Sequence, residues 1–539
     1  MMQTQNINRD EWTKLILGLT IFLSVILRFF PGLMAGFPLN DGGMFLVMLR
    51  ELKTNHFLIP AFTSYNYSNI PFAYPPFGFY AGALLSVIGI PDLQILRWLP
   101  VLINILTIPA FFLFAETLLE DRPRAAIAAV FYALAPVYGW EIMGGGLTRS
   151  FGVLFMLLAL HFAVRSFKIG SWQSVFLASL FGGLSVMSHP QTAIHAAFGI
   201  AFFWVFTKHS WKKLLQAFVL AVLAGVVCAP WWLTVYLQHG IAPFISAASS
   251  GVHDLSPLNV FVGDLFARDT FIPILMFLRV AGIIWEAAHR RFTLVLLAVL
   301  AYFLDQRSAG TTSFLAFSLL CGIGFADALP FVVNWLKNIT TSTRHAEAQR
   351  DEASRSSLKE ETLRYAQGDI SKNFFQLRWL NPTLIVVMFY LFLECGVYSF
   401  VLVNTSLHTP APFQAMQWVS ENTPLNSRFL LLTGSSGIMT DPIQEWFPAL
   451  AQRESQTTMQ GLEWNLNKDF FPRLQSLITL QACTNLDCVN NWSANIGLSY
   501  DYLLIQKSNA TLPLLNSVKL NMGYVQVYEN SSIVIFQKR

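Results

Sequence analysis

Apolar stretches long enough to cross a bilayer recur from about residue 13 to residue 403, and nothing else in the sequence constrains the fold as strongly. A hydrocarbon core about 30 Å thick calls for about 20 apolar residues per helical crossing. Spans are expected near 13–34, 95–118, 124–141, 149–167, 172–188, 190–207, 213–237, 271–288, 292–306, 311–335 and 380–403. Composition agrees: 54% of the 539 residues are hydrophobic and 12% charged, against about 25% charged in soluble domains. The 47 Phe and 15 Trp suit lipid-facing and interfacial surfaces. A net charge of +4 with no basic patch argues against nucleic acid as a partner. The first run, Leu15 to Phe30, follows Arg9 and Lys14 and lacks a small-residue cleavage site, so it is expected to stay as a span.

Loop charges set the expected orientation. Arg122 and Arg124, Arg165 and Lys168, Lys208, Lys212 and Lys213, and Arg290 and Arg291 lie in alternate loops, separated by loops poor in Lys and Arg. The positive-inside rule puts the N-terminus in the cytoplasm, and eleven spans then put the C-terminal tail outside. The apolar run Phe79 to Ile90 is short for a span, and counting it would reverse every later loop. It is read as interfacial or re-entrant, and Met44 to Lys53 as a helix lying along the surface. The reading is an all-α polytopic membrane protein with a small extracytoplasmic α/β domain. Residues 1–340 form the transmembrane domain, with a first external loop at 36–94. Residues 341–378, charged and almost free of large aliphatics, form a cytoplasmic insertion expected to be disordered. Residues 379–404 hold the last span, and 405–539 the α/β domain. In that domain Pro412 to Glu421 reads as a helix, Arg428–Leu432 and Tyr500–Ile505 as strands, and Tyr524–Tyr528 with Ile533–Phe536 as a hairpin. Cys483 and Cys488, with four residues between them, could form a disulfide outside the cytoplasm. No second Cys/His pair stands nearby to make a zinc site.

Folding this topology brings several polar features to the outer face. Asp41 follows the first span in Phe37-Pro38-Leu39-Asn40-Asp41-Gly42-Gly43. Glu141 and the run Gly144-Gly145-Gly146-Leu147-Thr148-Arg149-Ser150 join spans three and four, and Ser188-His189-Pro190-Gln191 joins spans five and six. His253, Asp254, Asp264, Arg268 and Asp269 precede span eight, and Asp305, Gln306 and Arg307 precede span ten. A phosphate leaving group needs Arg or Lys nearby, and a hydroxyl acceptor needs a carboxylate or His to take its proton. Asp41 is the candidate catalytic residue, although it, or Asn40 equally well, could cap the helix that follows. The glycine run is turn chemistry, close packing or an anion nest. Arg149 at a span end calls for a phosphate or Glu141 as partner. His189 either begins span six or serves the site, and Arg268 and its neighbours are a solvated loop or touch ligand. Tyr74, in Tyr74-Pro75-Pro76, sets the start of the interfacial helix. Two carboxylates far apart in sequence, Asp41 and Glu141, are too little to assign a metal.

The acidic residue after the first span, the Tyr-Pro-Pro segment and the turn Arg122-Pro123-Arg124 together resemble the GT-C glycosyltransferases, over roughly residues 10–335. The glycine run, His189-Pro190-Gln191 and Trp418-Val419-Ser420-Glu421-Asn422-Thr423-Pro424 resemble a prokaryotic membrane-protein branch carrying a pterin-synthase-related label. The resemblance implies a polyprenyl-phosphate sugar as donor, an external active site in the cell envelope, and inversion at the sugar carbon. The acceptor would be a glycan, a lipid or a protein. It assigns Asp41 as base or acceptor anchor. Arg149, with Gly144, Gly145, Gly146 and Thr148, would hold the donor phosphate, and Asn40, Tyr74, Glu141, His189, Gln191 and Arg268 would line the pocket. No cofactor beyond the lipid-linked donor is implied. Two readings from other classes are a transporter or flippase, for which Asp327 in span ten is the best support, and a non-catalytic membrane scaffold.

Overall fold

The computed structural model describes residues 8–40, 42–136, 138–144, 146–207, 210–250, 256–266, 271–348 and 379–539. Helix α1 (Arg9–Ala35) starts where the Asn8 side chain accepts from the Asp10 amide and stops at Gly36, whose φ of 67° ends the helix. Next come α2 (Gly43–Thr54), the strand pair β1 (Phe62–Thr63) and β2 (Ile70–Pro71), and α3 (Phe77–Val87). The bundle continues with α4 (Asp92–Leu119), α5 (Arg122–Ala133), a single turn α6 (Tyr138–Glu141), α7 (Gly146–Ile169), α8 (Trp172–Val186), α9 (Pro190–Val205) and α10 (Trp211–His239). After α11 (Ala242–Ser249) and α12 (Pro257–Phe266) come α13 (Ile274–Ala288), α14 (Thr293–Leu304) and α15 (Gly310–Ile323). A π-helical turn (Gly324–Ala328) then leads into α16 (Leu329–Ala348). The last long apolar helix is α17 (Leu380–Val403).

Among the described residues, six helices are long and apolar enough to cross a membrane, or seven if α13 and α14, bent 118° apart, count as one broken span. The helices found at the expected spans 124–141, 172–188, 190–207, 271–288 and 292–306 have 12, 15, 16, 15 and 12 residues. The segment expected to span at 124–141 breaks after Ala133, so Glu141 lies in the connection between α5 and α7. The expected insertion at 341–378 begins differently: the backbone of α16 continues as helix to Ala348, through Ala and Glu residues that favour helix. The remainder of that insertion, 349–378, lies outside the described residues.

The C-terminal part holds α18 (Pro410–Asn422), β3 (Arg428–Leu432), α19 (Pro442–Ala451), β4 (Glu454–Ser455), α20 (Phe470–Gln481), α21 (Leu486–Ile496), β5 (Tyr502–Gln506), α22 (Leu512–Lys519), β6 (Tyr524–Glu529) and β7 (Ile533–Lys538). The sheet order is β4-β3-β5-β7-β6; the first three strands are parallel, and β7 and β6 complete an antiparallel edge. β3 is apolar on both sides because both faces of the sheet are covered. Phe429 and Leu431 face one cluster with Met44, Leu49, Trp446 and Tyr502, while Leu430 and Leu432 face another with Leu477, Val489 and Leu503. Cys483 and Cys488 are disulfide-bonded beside the second cluster.

The first cluster joins this sheet to the loop after α1, and corrects one expectation. α2 is not left bare along a surface: Met44, Phe45, Leu46, Met48, Leu49 and Leu52 are buried, because α3 and α4 pack on the helix together with the C-terminal domain. Leu39 pairs with Ser406, and the Asn40 amide donates to Thr405 O at 2.8 Å. The Trp446 indole N–H donates to Asn40 O at 2.8 Å. Buried Glu445 accepts at one oxygen from the amides of Gly42 (3.2 Å) and Met44 (3.1 Å), so the cap on α2 comes from another domain. The Gly42-Gly43 pair is explained by this approach. A Cβ at Gly42 would meet the Trp446 ring at 2.8 Å, and one at Gly43 would overlap the Glu445 carbonyl. Trp464 packs edge-on to Tyr74 at 5.7 Å.

Glu445→Ala removes the acceptor from two buried N–H groups, each costing about 1–3 kcal/mol when unmade. The variant is expected to melt at a lower temperature and to exchange the amides of residues 42–46 faster, read by hydrogen–deuterium exchange. Glu445→Gln, which keeps an oxygen acceptor, is expected to fall between the two. Unchanged exchange in the alanine variant would mean that this contact does not hold the segment.

Candidate active site

The site starts from a charge buried inside α1. Arg28 points into the bundle, where its Nε donates to Asn104 Oδ1 at 2.5 Å and its Nη1 to Ala133 O at 3.0 Å. Its guanidinium lies 4.6 Å from the centre of the Tyr138 ring. An uncompensated buried charge is very costly, so the surroundings must supply acceptors and counter-charge. Asn104 on α4 passes the interaction on by donating its Nδ2 to Glu141 Oε2. The Glu141 carbonyl in turn accepts from the Ser150 hydroxyl at 2.7 Å, which ties α6 to the first turn of α7. Burial pushes the Glu141 carboxyl up to about 7, against the opposing pull of Arg28 and the Asn104 hydrogen bond.

Glu141 opens onto a cavity of about 550 Å³ whose walls also include Arg149, His189, Gln191, Arg307 and Ser308, a size that suits a small-molecule site. Arg149 is not ion-paired to Glu141. Its Nη1 donates to Trp140 O and its guanidinium stacks 4.3 Å from the Trp140 ring, while its buried Nε has no partner among the described residues. Arg307 enters from the turn before α15, with Nη1 at 3.5 Å from Ser250 O. His189 precedes α9 and is buried, with Nδ1 lacking a partner among the described residues. Burial, then the charges of Arg149 and Arg307, lower its pKa well below the usual histidine value, so the ring is neutral. Behind it, buried His195 bonds Ser308 Oγ at 2.9 Å and Thr312 Oγ1 at 2.8 Å, and Ser308 donates to Asp305. The cavity thus combines two guanidinium groups, a neutral imidazole and a carboxyl that titrates near neutrality. That set can hold an anion and move a proton beside it.

Of the residues expected at the site, Glu141, Arg149, His189 and Gln191 line this cavity. Tyr74 does not; its ring centre lies 6.4 Å from that of His189. Asn40 is buried, with Nδ2 donating to Met143 Sδ at 3.1 Å. The Gly144 amide donates to Leu39 O at 2.6 Å and the Gly146 amide to Met143 O at 2.7 Å, so neither is free to serve an anion nest. These glycines allow close packing instead, since a Cβ at Gly146 would overlap the Glu141 carbonyl. Thr148 is buried away from the cavity wall. Asp41, Gly145 and Arg268 lie outside the described residues. The residues flanking Asp41 are placed: Leu39 and Asn40 bond Gly144 and Met143, midway between Glu141 and Arg149. Among the described residues no three His, Cys, Asp or Glu side chains gather as a metal site.

Two elements escaped the sequence reading. Arg28 carried a usable signal, an arginine inside the first apolar run. Arg307 stands in an outer-face loop, and no local pattern separates it from an ordinary loop arginine. Asp327, in the π turn just beyond α15, pairs with Arg124 at 2.7 Å.

No family model matches the chain, and no curated protein matches it. Among solved structures, ArnT from Cupriavidus metallidurans bound to undecaprenyl phosphate aligns with a TM-score of 0.53 at 15% identity, over 97% of this chain and 98% of that one. The same protein in the apo state gives 0.51 at 15% identity, over 98% of each. The arabinofuranosyltransferase AftD from mycobacteria gives 0.52 at 13% identity, over 97% of this chain but 40% of AftD. At such identities the likeness is one of fold, and it extends over almost the whole chain. This chain is an integral membrane protein that shares the fold of ArnT over almost its whole length.

Proposed function

We propose that the protein is a membrane glycosyltransferase that moves a sugar from a polyprenyl-phosphate carrier to an extracytoplasmic acceptor. The observation that carries this reading is the pair Arg149 and Arg307 in one cavity with Glu141 and His189, in a fold shared with ArnT bound to undecaprenyl phosphate. In the proposed step an acceptor oxygen attacks the anomeric carbon and the bond from that carbon to the phosphate oxygen breaks. The configuration inverts, and the bonding pair leaves with the polyprenyl phosphate. The two guanidinium groups neutralise the charge that develops on the phosphate. Asp41 takes the proton of the acceptor hydroxyl. In favour of that role, the competing task of capping α2 at Gly42 and Met44 is performed by Glu445. Gln191 and His189 orient the donor.

In the topology that goes with this reading, the N-terminus is cytoplasmic and eleven crossings include the short helices α5, α8, α9, α13 and α14. The α/β domain lies outside, where a disulfide such as Cys483–Cys488 persists. The sugar is a hexose or pentose, and the acceptor a glycan, lipid or protein of the cell envelope.

Purified protein in nanodiscs, given a panel of polyprenyl-phosphate sugars and envelope extract as acceptor, is expected to release polyprenyl phosphate. Asp41→Asn is expected to lower turnover by about 10²–10⁴-fold with folding intact, the range for loss of a general base. Unchanged turnover in that variant would remove Asp41 from the mechanism. Arg307→Gln is expected to lower turnover by about 10²-fold.

Glu141 generates a pH prediction. Its folded carboxyl titrates near 7, above the ordinary 4.5, so between these values the folded state holds a proton that the unfolded state has lost. Its contribution to stability is full below the ordinary value, falls as pH rises, and levels off above about 7. The protonated-carboxyl infrared band is expected to disappear around pH 7 in the wild type and to be missing in Glu141→Gln. A band that titrates near 4.5 would refute the assignment.

A further inference from the structure

A second cavity, of about 630 Å³, lies at the other end of the bundle. Gly310 of α15 borders the first cavity and Asp327 in the π turn borders the second, about 26 Å apart by helical rise. That distance approaches the thickness of a bilayer core. The second cavity gathers Arg124, Arg290 and Arg291 with two acids, Glu286 and Asp327. Arg124 pairs with Asp327 at 2.7 Å and Arg291 with Glu286 at 3.0 Å. Arg290 makes no ion pair among the described residues and is exposed, which leaves one cation in excess. The break between α13 and α14 presents it. The Arg290 amide donates to Ala287 O at 3.0 Å and the Arg291 amide to Glu286 O at 2.8 Å, so the two guanidinium groups project from a pinned turn.

The rim of this cavity is apolar. Phe206, Phe292 and Leu296 border it and are exposed by 50%, 49% and 36%. A free phosphate ion would use the arginines and leave those side chains bare. An anionic phospholipid would use both, with its headgroup on the arginines and its acyl chains along the rim. Basic pockets between membrane helices suit such headgroups on electrostatic grounds. We propose that this cavity binds the headgroup of an anionic phospholipid from the leaflet opposite the candidate active site, with Arg290 as the principal contact and Arg291 held in reserve by Glu286.

The test uses the full-length protein, delipidated in detergent and titrated with phosphatidylglycerol or phosphatidylcholine under native mass spectrometry. Selective retention of phosphatidylglycerol is expected. Arg290→Gln is expected to weaken it about fivefold, the effect of one cation at a membrane surface. Glu286→Gln, which releases Arg291, is expected to strengthen it. Lys212→Gln, outside this cavity, is expected to leave it unchanged. The two cavity variants move binding in opposite directions, so a general loss of folding cannot imitate the result. Equal retention of phosphatidylcholine would overturn the proposal, as would phosphatidylglycerol binding indifferent to both cavity variants. Displacement of the lipid by inorganic phosphate at equal concentration would assign the cavity to a free anion instead.

Discussion

The carboxylate of Glu445 is where two halves of this molecule meet. A helix N-terminus buried beneath another domain leaves amides that water cannot reach, and each must find an acceptor. Here the acceptor for Gly42 and Met44 is supplied from some four hundred positions further along the chain. Trp446 and Thr405 secure Asn40 in the same way. Around these bonds one apolar cluster runs from α2 through α19 into the sheet. The segment that flanks Asp41 is therefore set by the C-terminal domain, and it bonds directly to the loop between Glu141 and Arg149. Lose the dock, and the loop between Glu141 and Arg149 loses the segment it bonds to.

The cavity wall at Glu141 depends on a different constraint, the burial of Arg28. The chain answers that charge with Asn104, Ala133 O and the Tyr138 face, and through Asn104 with Glu141. Desolvation favours the protonated carboxyl, while Arg28 and Asn104 favour the ionised one. The balance lies near neutrality, where a small change in occupancy of the cavity can shift the proton. Burial, and then the positive charge of Arg149 and Arg307, keeps His189 neutral. Both charged ends of the bundle obey one rule: an ion is tolerated at the membrane's edge where a partner or a ligand is available.

Much of this was legible in the sequence because it is written locally. Apolar runs mark the long helices, as at 380–403, which matches α17 residue for residue. The strand Arg428–Leu432 and the terminal hairpin announced themselves by β-type apolar runs bounded by turns. Glu141, Arg149, His189 and Gln191 could be grouped because each sits at the end of an apolar run, and loop charge alone assigns those ends to one face. Other features were not local. Sequence overstates the lengths of α5 and α14 because hydropathy does not register a helix break within an apolar stretch. The glycine run is compatible in sequence with turn chemistry, close packing or an anion nest, and only the partners of its amides, Leu39 and Met143, decide against the nest for Gly144 and Gly146.

The sequence by itself determined that this chain must live in a membrane and which polar residues sit at the ends of its helices. Transfer of side chains out of water acts residue by residue, so composition and period record it. Tertiary structure decided which of those residues meet. It brought Arg307 to Arg149, gave Glu141 its buried chain to Arg28, used Glu445 to cap α2, and gathered Arg124, Arg290 and Arg291 at the far end. These pairings span long loops in sequence. Their energies arise from desolvation and hydrogen bonding in three dimensions, which no local pattern of residues encodes.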